Sequence, residues 1–401
     1  MKSYIFLTPN ITKIGGAQMY LKYKSEWLLN KGYVVKIISS KKGSCIINGL
    51  ERYEDYIIEG LSFPPHSFYN KKVKSIKKEL LKIIGDRTDE MIIESTSIAV
   101  SVWGELLAKY YNAKHLVYSL QEKNEVQNPE IYNFLEFKNM RRELAGIKPQ
   151  SIPKIFNSES ANGPYLRANA LKIPEDYDHY LIKNISPADF TIGSIGRLDK
   201  PFVVPLIKKI LSFTRMYSNK SFNLLMIGGS ENLAVIRALK KMVRNTSNIR
   251  IYITGFVYPI PLKLIQMPDV FISSSGSCRV SSQQNKLTIS IDADDYKPIG
   301  IIGITTKNGV FRDGEPEVEL SDLLQEILID QKYKPSMIKG EKPLSIVDYS
   351  DHLEFIDKSD KKKEYYNFKL IGSMNRYKKL LLNLVGSEIY KSLHLKKHFF
   401  N

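Results

Sequence analysis

Short apolar runs of strand length alternate with longer amphipathic stretches along most of the chain. This alternation is typical of parallel strands joined by crossover helices. The predicted strands of the first half are 4–10, 34–39, 91–95, 115–120 and 153–158. Those of the second half are 190–196, 222–229, 249–255, 269–273 and 287–292, with helices predicted at 204–217 and 232–243. The pattern therefore predicts an α/β protein whose second half is a doubly wound sheet.

Length and local composition predict two domains and a tail. The 401 residues exceed the roughly 250–300 at which a single core stops growing. Residues 160–188 are rich in Pro, Asn and Asp, so the domains are predicted at 1–185 and 186–335. The remainder, 336–401, is a basic tail in which a helical pattern returns at 375–393. That helix either packs back on the first domain or caps the second.

Composition favours a cytoplasmic protein with an anionic partner. No run approaches the roughly 20 apolar residues of a membrane span, and the start MKSYIFLTPN lacks the features of a signal peptide. Cys45 and Cys278 lie far apart and fit no metal-ligand spacing, so neither a disulfide nor a metal is expected. The net charge of +17 favours nucleic acid, an acidic membrane surface or phosphorylated substrates as partners, unless it reflects Lys-rich composition alone.

Two glycine-bearing turns follow predicted strands. Gly15 and Gly16 lie between the first strand and a helix, where paired glycines allow a ligand to approach the backbone and a helix N-terminus offers N–H groups to phosphate. A steric role in the turn explains these glycines equally well. Gly228 and Gly229 form a similar turn, which is better explained by turn geometry than by ligand contact.

The turn SIGRLDK combines a glycine with two cations. Gly196 is followed at once by Arg197, and Lys200 comes three residues later. The turn falls at the carboxyl edge of a parallel sheet, where open α/β folds bind ligands. Arginine grips a diphosphate with paired donors, and lysine adds a charge that stabilises a departing phosphate. We therefore predict that Arg197 and Lys200 act on an anionic ligand.

The stretch DVFISSSGSCRVSSQQNKLTISID, residues 269–292, reads as strand, small-residue turn, short helix and strand. This layout places backbone N–H groups under a phosphate, and the predicted contacts are Ser275, Gly276, Ser277 and Arg279. No carboxylate occurs between Asp269 and Asp292. The stretch is therefore either a nucleotide-sugar site without acids or a turn retained for packing.

Several motifs in order resemble those of GT-B glycosyltransferases of family four, the retaining type that builds bacterial capsule, O-antigen and other surface glycans. They are GGAQ, IGRLDK, LLMIGG, IYITGFV and PDVFISSS leading into LTISID. The resemblance implies two Rossmann-like doubly wound domains facing across a cleft. It further implies a nucleotide sugar held mainly by the second domain and an acceptor bound mainly by the first.

The resemblance also assigns roles to single residues. Gly15 and Gly16 match the glycine loop that approaches the donor phosphates. Arg197 and Lys200 match the basic pair that neutralises the diphosphate without a divalent metal, although the family's lysine usually lies further along the chain. No cofactor is therefore expected apart from the donor substrate.

The chain departs from the family at its acidic residues. The family places two glutamates eight positions apart where this chain offers Ser274–Arg279 followed by Gln283 and Gln284. Gln284 is the predicted ribose contact, since a glutamine can hydrogen-bond a hydroxyl without being charged. The family's acceptor-side histidine is also missing, and the matching strand ends in Gln121 and Glu122.

The helix predicted at 70–85 is basic and amphipathic. Its apolar face contains Val73, Ile76, Leu80, Ile83 and Ile84, and its lysines are Lys71, Lys72, Lys74, Lys77, Lys78 and Lys82. Helices of this kind bind anionic membrane surfaces. An ordinary domain helix with its apolar face in the core has the same pattern.

These observations predict a cytoplasmic glycosyltransferase at the inner face of the cell membrane. As the resemblance implies, it is expected to move a sugar with retention from a nucleoside-diphosphate sugar to a growing, polyprenyl-linked surface polysaccharide. The first alternative is a catalytically inactive GT-B homologue that serves as a glycan-binding or partner subunit. A nucleic-acid binder is supported only by charge, and a nicotinamide dehydrogenase is disfavoured because no G-x-G-x-x-G follows the first strand.

Overall fold

The computed structural model describes residues 2–121, 131–147, 165–168, 173–339, 348–359, 364–371, 374–387 and 389–390. The chain forms two compact units, Met1–Ala170 with Ile346–Asn401, and Leu171–Ser345. The junction thus lies at 170/171, whereas the sequence prediction put it at 185/186. The residues near Glu175 belong to the second unit because the Glu175 amide donates to the Ile260 carbonyl at 3.0 Å.

The first unit contains a five-stranded sheet in the order β2-β1-β3-β4-β5. All four strand pairs in it are parallel. The strands are β1 (Lys2–Thr8), β2 (Tyr33–Ser39), β3 (Glu90–Ser95), β4 (Lys114–Ser119) and β5 (Leu144–Gly146). Four were predicted from apolar runs, whereas β5 is too short to give a signal. The strand predicted at 153–158 lies outside the described residues.

The helices of the first half cover this sheet. They are α1 (Gly16–Asn30), α2 (Asn70–Ile84), α3 (Ile98–Tyr111) and α4 (Tyr132–Met140). Ile76, Leu80 and Ile84 of α2 lie in a core cluster with Trp103 of α3. The apolar face of the predicted basic amphipathic helix is therefore part of the core, and its lysines cover the outer side.

The chain beyond residue 346 returns to the first unit. It contributes two helices, α11 (Ser350–Asp357) and α12 (Arg376–Val385). Tyr349, at the start of α11, is buried and donates its hydroxyl to the Ala168 carbonyl at 2.9 Å. Leu382 of α12 joins the same core cluster as α2. The terminal helical pattern therefore belongs with the first unit.

A buried ion pair lies beneath α11. Lys24 and Glu94 have fully buried side chains, and Lys24 Nζ donates to Glu94 Oε2 at 2.6 Å. The two oxygens of Glu94 also accept hydrogen bonds from the hydroxyls of Tyr4 and Tyr20, at 2.5 and 2.6 Å. The carboxylate is thus satisfied without water.

His352 of α11 completes this network. Lys24 Nζ lies 3.0 Å from His352 Nδ1 and 2.9 Å from the Tyr20 hydroxyl. Because an ammonium only donates, Nδ1 must accept and the ring proton must be on Nε2, which lies 2.9 Å from the Arg167 carbonyl. Burial first and the Lys24 charge second lower the pKa of His352 well below its usual range, so the imidazole is neutral.

The second unit contains a six-stranded sheet in the order β11-β10-β9-β6-β7-β8. The strands are β6 (Phe190–Ile195), β7 (Phe222–Ile227), β8 (Ile249–Ile253), β9 (Val270–Ser273), β10 (Leu287–Ile291) and β11 (Pro298–Ile301). All pairs are parallel except β10 with β11. The sequence did not predict β11, an antiparallel edge strand. It begins with Pro298, and the first residue of an edge strand is a position where proline is tolerated.

The helices of the second unit are α5 (Tyr180–Asn184), α6 (Val203–Met216), α7 (Leu233–Arg244), α8 (Leu262–Gln266), α9 (Gly276–Ser282) and α10 (Leu320–Leu324). Helix α6 buries an apolar stripe that includes Leu206, Ile207 and Ile210 in the main core cluster. Two parallel-sheet Rossmann-like units are therefore present, and the predicted α/β fold class is confirmed.

Candidate functional site

Three turns meet at the carboxyl edge of the second unit's sheet. They follow β9, β6 and β7, which are adjacent strands. Because parallel strands end at the same edge, this edge is where α/β folds bind ligands. The turns contain residues 274–275, 196–202 and 228–232 respectively. The residues of this unit that the sequence predicts to bind the sugar nucleotide lie in these turns or in α9, which follows β9, except Gln284, which lies two residues beyond α9.

The turns after β6 and β7 pack backbone against backbone. Gly228 has φ +153°, and a Cβ atom built there would lie 1.9 Å from the Gly196 carbonyl oxygen. The Leu198 amide in the β6 turn donates to the Gly229 carbonyl at 3.0 Å. Any side chain at Gly228 would push the two turns apart. This glycine therefore has a steric role that fixes the neighbouring turn.

The β6 turn also reaches α9. A Cβ atom built on Gly196 would lie 3.8 Å from Ser277 Oγ. The Ile195 amide at the end of β6 donates to Ser273 Oγ at 3.2 Å, which ties β6 to the end of β9. The structure thus brings together two turns that the sequence singled out separately, those containing Gly196 and Ser277.

Arg197 is the charged group of the β6 turn. Its Nε lies 3.6 Å from Asp199 Oδ1, and 39% of its side chain is exposed. Asp199 Oδ1 is buried and accepts no hydrogen bond from the described part of the chain. Asp199 therefore holds Arg197 by charge attraction, while the exposed guanidinium still has donors for an anion.

Lys200 lies just before α6. Its Nζ is 5.6 Å from the centroid of the Phe202 ring, within cation–π range. Its side chain is half-buried. The Phe202 ring thus lies beside the ammonium, and Lys200 is in the same turn as Arg197.

Ser275 has a backbone conformation that the sequence did not reveal. Its φ and ψ are +65° and −144°, a region populated almost only by glycine. The Ser275 amide donates to the Gly309 carbonyl at 2.5 Å, which holds the residue in this conformation. Backbone strain of this kind collects at functional sites. A serine at this position does not indicate such a conformation in the sequence, as a glycine would.

Gly276 is the first residue of α9, and it faces open space. A Cβ atom built there would meet nothing within 4 Å. The glycine is therefore not required by packing within the protein. Gly276 is exposed at the carboxyl edge of the sheet, and its contact with a phosphate stays a prediction.

A cavity of about 850 Å³ adjoins this turn. Its lining includes Arg279, Gln283, Lys307, Gly309 and Lys339. Gly309 links the cavity to the turn, since its carbonyl accepts the Ser275 amide. The volume falls within the roughly 300–1,000 Å³ typical of ligand pockets. The lining includes Gln283, whereas the predicted contact Gln284 is a half-buried neighbour outside it.

Glu315 gives this cavity one carboxylate. Burial acts to raise the pKa of Glu315, but hydrogen bonds from Thr306, the Asp313 amide and Asn308 outweigh it and lower that pKa. The Asn308 amide group donates to Glu315 Oε1 at 2.7 Å. Glu315 is therefore ionised. It lines the cavity, and its hydrogen bonds hold the loop at 306–315 together.

The predicted glycines of the first unit lie at the start of α1. Gly16 is exposed, and a Cβ atom there would meet nothing within 4 Å. Gly15 is more restricted, because its Cβ would lie 2.9 Å from Gln18 Oε1. Gln121, which follows β4, is exposed, and Glu122 lies outside the described residues.

A serine, a histidine and a glutamate form a chain of contacts in the first unit. Ser95 Oγ lies 3.0 Å from His115 Nε2, and His115 Nδ1 lies 2.9 Å from Glu105 Oε2. The connectivity is that of a hydrolase triad. However, Ser95, His115 and Glu105 are exposed by only 0%, 3% and 1%. A Cβ on Gly104 would lie 2.3 Å from Ser95 Oγ, so a substrate has no room there.

The described ranges contain neither a metal-binding cluster nor a transmembrane helix. Within them, no three His, Cys, Asp or Glu side chains are grouped closely enough to bind a metal ion. Within the same ranges, no helix has both the length and the apolar composition that a transmembrane span requires.

No protein-family model and no curated protein sequence matches the chain. Solved structures do match it. The catalytic domain of starch synthase IV from Arabidopsis thaliana, bound to ADP and acarbose, has a TM-score of 0.55 at 12% identity, over 89% of this chain and 99% of that chain. A glycosyltransferase from Rickettsia africae has a TM-score of 0.51 at 16% identity, over 98% of both chains.

A third match is WaaG, a glycosyltransferase involved in lipopolysaccharide biosynthesis. Its TM-score is 0.51 at 11% identity, over 90% of this chain and 96% of that chain. Identities this low show the fold alone. The chain has two parallel-sheet Rossmann-like units, and it matches these structures over most of its length. It therefore has the GT-B fold.

Proposed function

We propose that the protein is a glycosyltransferase that uses a nucleoside-diphosphate sugar. The observation that carries this proposal is the meeting of the Arg197 turn with the Ser275–Ser277 turn at one sheet edge, where Gly196 approaches Ser277. A cation and accessible backbone amides at such an edge suit a diphosphate. A structural neighbour with the same fold is bound to ADP.

The donor is proposed to occupy the second unit. Arg197 donates to the diphosphate, and the amides near Gly276 contact its oxygens. The cavity beside Arg279 receives the nucleoside, where Gln283 hydrogen-bonds a ribose hydroxyl. This last role falls to Gln283 because it lines the cavity and Gln284 does not. Since Gln283 lies eight residues after Ser275, the two neutral residues have the spacing of the family's glutamate pair.

The proposed reaction is substitution with retention at the anomeric carbon. The bond from this carbon to the diphosphate oxygen breaks, and the diphosphate leaves with the electron pair. The acceptor hydroxyl forms the new bond on the same face and gives its proton to a departing phosphate oxygen. Arg197 and Lys200 stabilise the charge that develops on the leaving group, the role that a divalent metal plays in other enzymes.

The proposed acceptor is a growing, polyprenyl-linked surface polysaccharide at the inner face of the cell membrane. Two observations support it: one structural neighbour is involved in lipopolysaccharide biosynthesis, and the chain carries a net charge of +17 that favours anionic surfaces.

A thermal-shift screen against UDP, GDP, ADP and NAD tests donor binding. A ligand at 100 times its dissociation constant stabilises a fold by about 2.7 kcal/mol, so one nucleoside diphosphate should raise the melting temperature while NAD does not. The Arg197→Ala variant is the control, and its shift with the same nucleotide should be smaller. If no nucleoside diphosphate stabilises the wild-type protein, the proposal is wrong.

Turnover is then measured as release of the selected nucleoside diphosphate from its sugar nucleotides, with and without lipid-linked glycan acceptors. Acceptor-dependent release supports transfer. Nucleotide binding without release under any of these conditions would indicate the inactive homologue instead.

A further inference from the structure

Helix α12 presents an apolar stripe to solvent. Tyr377, Leu380, Leu381 and Leu384 follow one another at helical spacing and are exposed by 81%, 45%, 40% and 74%. Side chains three and four residues apart lie on the same face of a helix. These four residues therefore form one continuous outward face, in contrast to the scattered apolar residues found on ordinary surfaces.

The opposite face of α12 is anchored to the first unit. Leu382 is buried in the core cluster, with 1% of its surface exposed. Asn383 Nδ2 donates to the Ser67 carbonyl at 3.1 Å, and Lys379 Nζ donates to the His66 carbonyl at 3.0 Å. These contacts fix which side of the helix faces outward. The stripe is therefore exposed because the opposite side is used for packing.

Lysines of α2 flank the stripe. A groove of about 480 Å³ between the two helices is lined by Lys71 and Lys72 of α2 and by Leu380 and Leu384 of α12. Both lysines are exposed. Residues 376–385 contain no Asp or Glu. The surface formed by the stripe and these two lysines, called here the docking surface, is thus apolar in its middle and positive at its edge.

We propose that the docking surface binds an anionic lipid bilayer. The α12 stripe enters the boundary between headgroups and acyl chains, and Lys71 and Lys72 contact anionic headgroups. An apolar face flanked by cations is the pattern of helices that lie in a membrane interface. The sequence left open whether the apolar face of α2 enters a membrane or packs in the core. That face lies in the core, and the exposed apolar face is on α12.

A second copy of the chain fits this surface less well. In a symmetric dimer the same patch occurs on both sides, so the interface would contain Lys71 and Lys72 of both copies, and α12 has no Asp or Glu to offset their charge. Like charges brought together at an interface oppose association. A bilayer with anionic headgroups has the complementary charge instead.

Vesicle flotation of the full chain tests the proposal. Wild-type protein should float with vesicles of phosphatidylcholine and phosphatidylglycerol, and not with phosphatidylcholine alone. A Tyr377→Ser/Leu384→Ser variant should bind the anionic vesicles at least about tenfold more weakly. Lys71→Gln/Lys72→Gln should weaken binding and reduce its dependence on salt. The control is Leu233→Ser, which removes a leucine that is 61% exposed on α7 of the second unit.

Equal flotation of the Tyr377→Ser/Leu384→Ser variant and the wild type would overturn the proposal. So would sedimentation of the wild type as a dimer that this variant converts to a monomer without any vesicle binding. The assay contains no nucleotide, so its outcome is separate from that of the nucleotide-binding screen. All substituted side chains are exposed, and circular dichroism confirms that each variant is folded.

Discussion

The two units place their polar residues differently. The first unit buries charged groups inside its core, among them Lys24, Glu94, Glu105 and Lys138. In the second unit, the buried polar residues of the described part are Ser, Thr, Asn and Asp, without a buried Lys, Arg or Glu. Its cations lie instead at the edge of the sheet, where Arg197 is partly exposed. The two units have similar folds, but the first buries ion pairs in its core, whereas the described part of the second keeps its lysines and arginines at least partly accessible to solvent.

The difference separates a buried polar cluster from a candidate site. The chain from Ser95 through His115 to Glu105 looks catalytic by connectivity, yet Lys138 Nζ contacts Glu105 Oε2 at 2.8 Å and the Tyr366 amide donates to Glu105 Oε1 at 3.0 Å. Every group there is satisfied and buried. The turns of the second unit contain a partly exposed guanidinium and an exposed glycine instead. Accessibility, more than connectivity, therefore makes these turns the candidate site.

The largest expected effect is on the buried charges of the first unit. Lys24→Met leaves the Glu94 carboxylate buried without its cation, and breaking such a pair costs about 3–5 kcal/mol of unfolding free energy. Urea unfolding followed by tryptophan fluorescence measures it. Both tryptophans, Trp27 and Trp103, lie in helices of the first unit, so the signal reports that unit.

Two variants sharpen this measurement. Lys24→Met/Glu94→Gln removes both charges and should recover part of the stability lost in the single variant. Lys114→Met breaks a pair with Asp357 whose side chains are 44% and 62% exposed, and should change stability little. A loss in Lys24→Met no greater than in Lys114→Met would show that the buried network is not structural.

The same core should make stability depend on pH. Burial first, and then Lys138 for His115 and Lys24 for His352, lower the pKa of each imidazole. The unfolded state therefore binds protons that the folded state does not. The free energy of unfolding is therefore highest above about pH 6.5, the pKa of a histidine in the unfolded chain. It falls as the pH decreases below that value, by up to about 1.4 kcal/mol per pH unit for each histidine.

Urea unfolding by tryptophan fluorescence from about pH 7.5 to about pH 5.5 measures this slope. His352→Gln should have a shallower slope than the wild type, because one of the two titrating groups is gone. A wild-type stability that stays constant over this range would contradict the assignment of neutral buried histidines.

In the second unit, substitution should affect binding and spare the fold. Arg197→Ala should weaken nucleoside-diphosphate binding by about 1.5–3 kcal/mol, the range for a hydrogen bond to a charged group. Isothermal titration calorimetry measures the affinity. Arg197→Lys keeps the charge but loses the paired donors, so its affinity should be intermediate. Unchanged affinity in Arg197→Ala would remove this residue from the site.

The sequence predicted those features of the structure that depend on residues close together in the chain. Apolar runs located nine of the eleven strands of the described chain, because a buried parallel strand is apolar along its length. The two missed strands are β5, of three residues, and β11, which contains Pro298 and Gly300. The Gly196–Arg197 turn was also recognised locally.

The remaining features depend on residues distant in sequence. His352 reaches Lys24 across 328 positions, and no pattern in the chain indicates that contact. The strained backbone of Ser275 depends on its contact with Gly309. The apolar face of α2 was ambiguous because a core helix and a membrane helix have the same periodicity. Tertiary packing decides the outcome: the apolar face of α2 lies in the core cluster, whereas α12 packs through Leu382 and leaves its apolar stripe exposed.

Two glycines of the second unit separate a steric role from a binding role. Gly276→Val adds a side chain in open space, so the unliganded protein should keep its stability. The side chain would fill the position proposed for a phosphate, and nucleoside-diphosphate affinity should fall more than tenfold, or about 1.4 kcal/mol. In Gly228→Ala, by contrast, the Cβ would meet the Gly196 carbonyl, and the unliganded fold should be destabilised. Retained affinity in folded Gly276→Val would contradict the phosphate contact.

The smallest expected effect concerns the strain at Ser275. A non-glycine residue in this conformation costs about 1–3 kcal/mol, and glycine relieves that cost while losing about 0.5–1 kcal/mol of its own to greater freedom in the unfolded chain. Ser275→Gly should therefore stabilise the unliganded protein by about 1 kcal/mol in thermal unfolding followed by circular dichroism. If the strain positions the neighbouring amides for a diphosphate, the same variant should bind the nucleotide more weakly, because the relaxed turn samples other conformations.

Ser277→Gly, a change at an unstrained helical position, is the control and should be slightly destabilising. Stabilisation of Ser275→Gly with unchanged affinity would mean that the strain belongs to the fold alone, and the contrast between the units would then rest on Arg197 and Gly276.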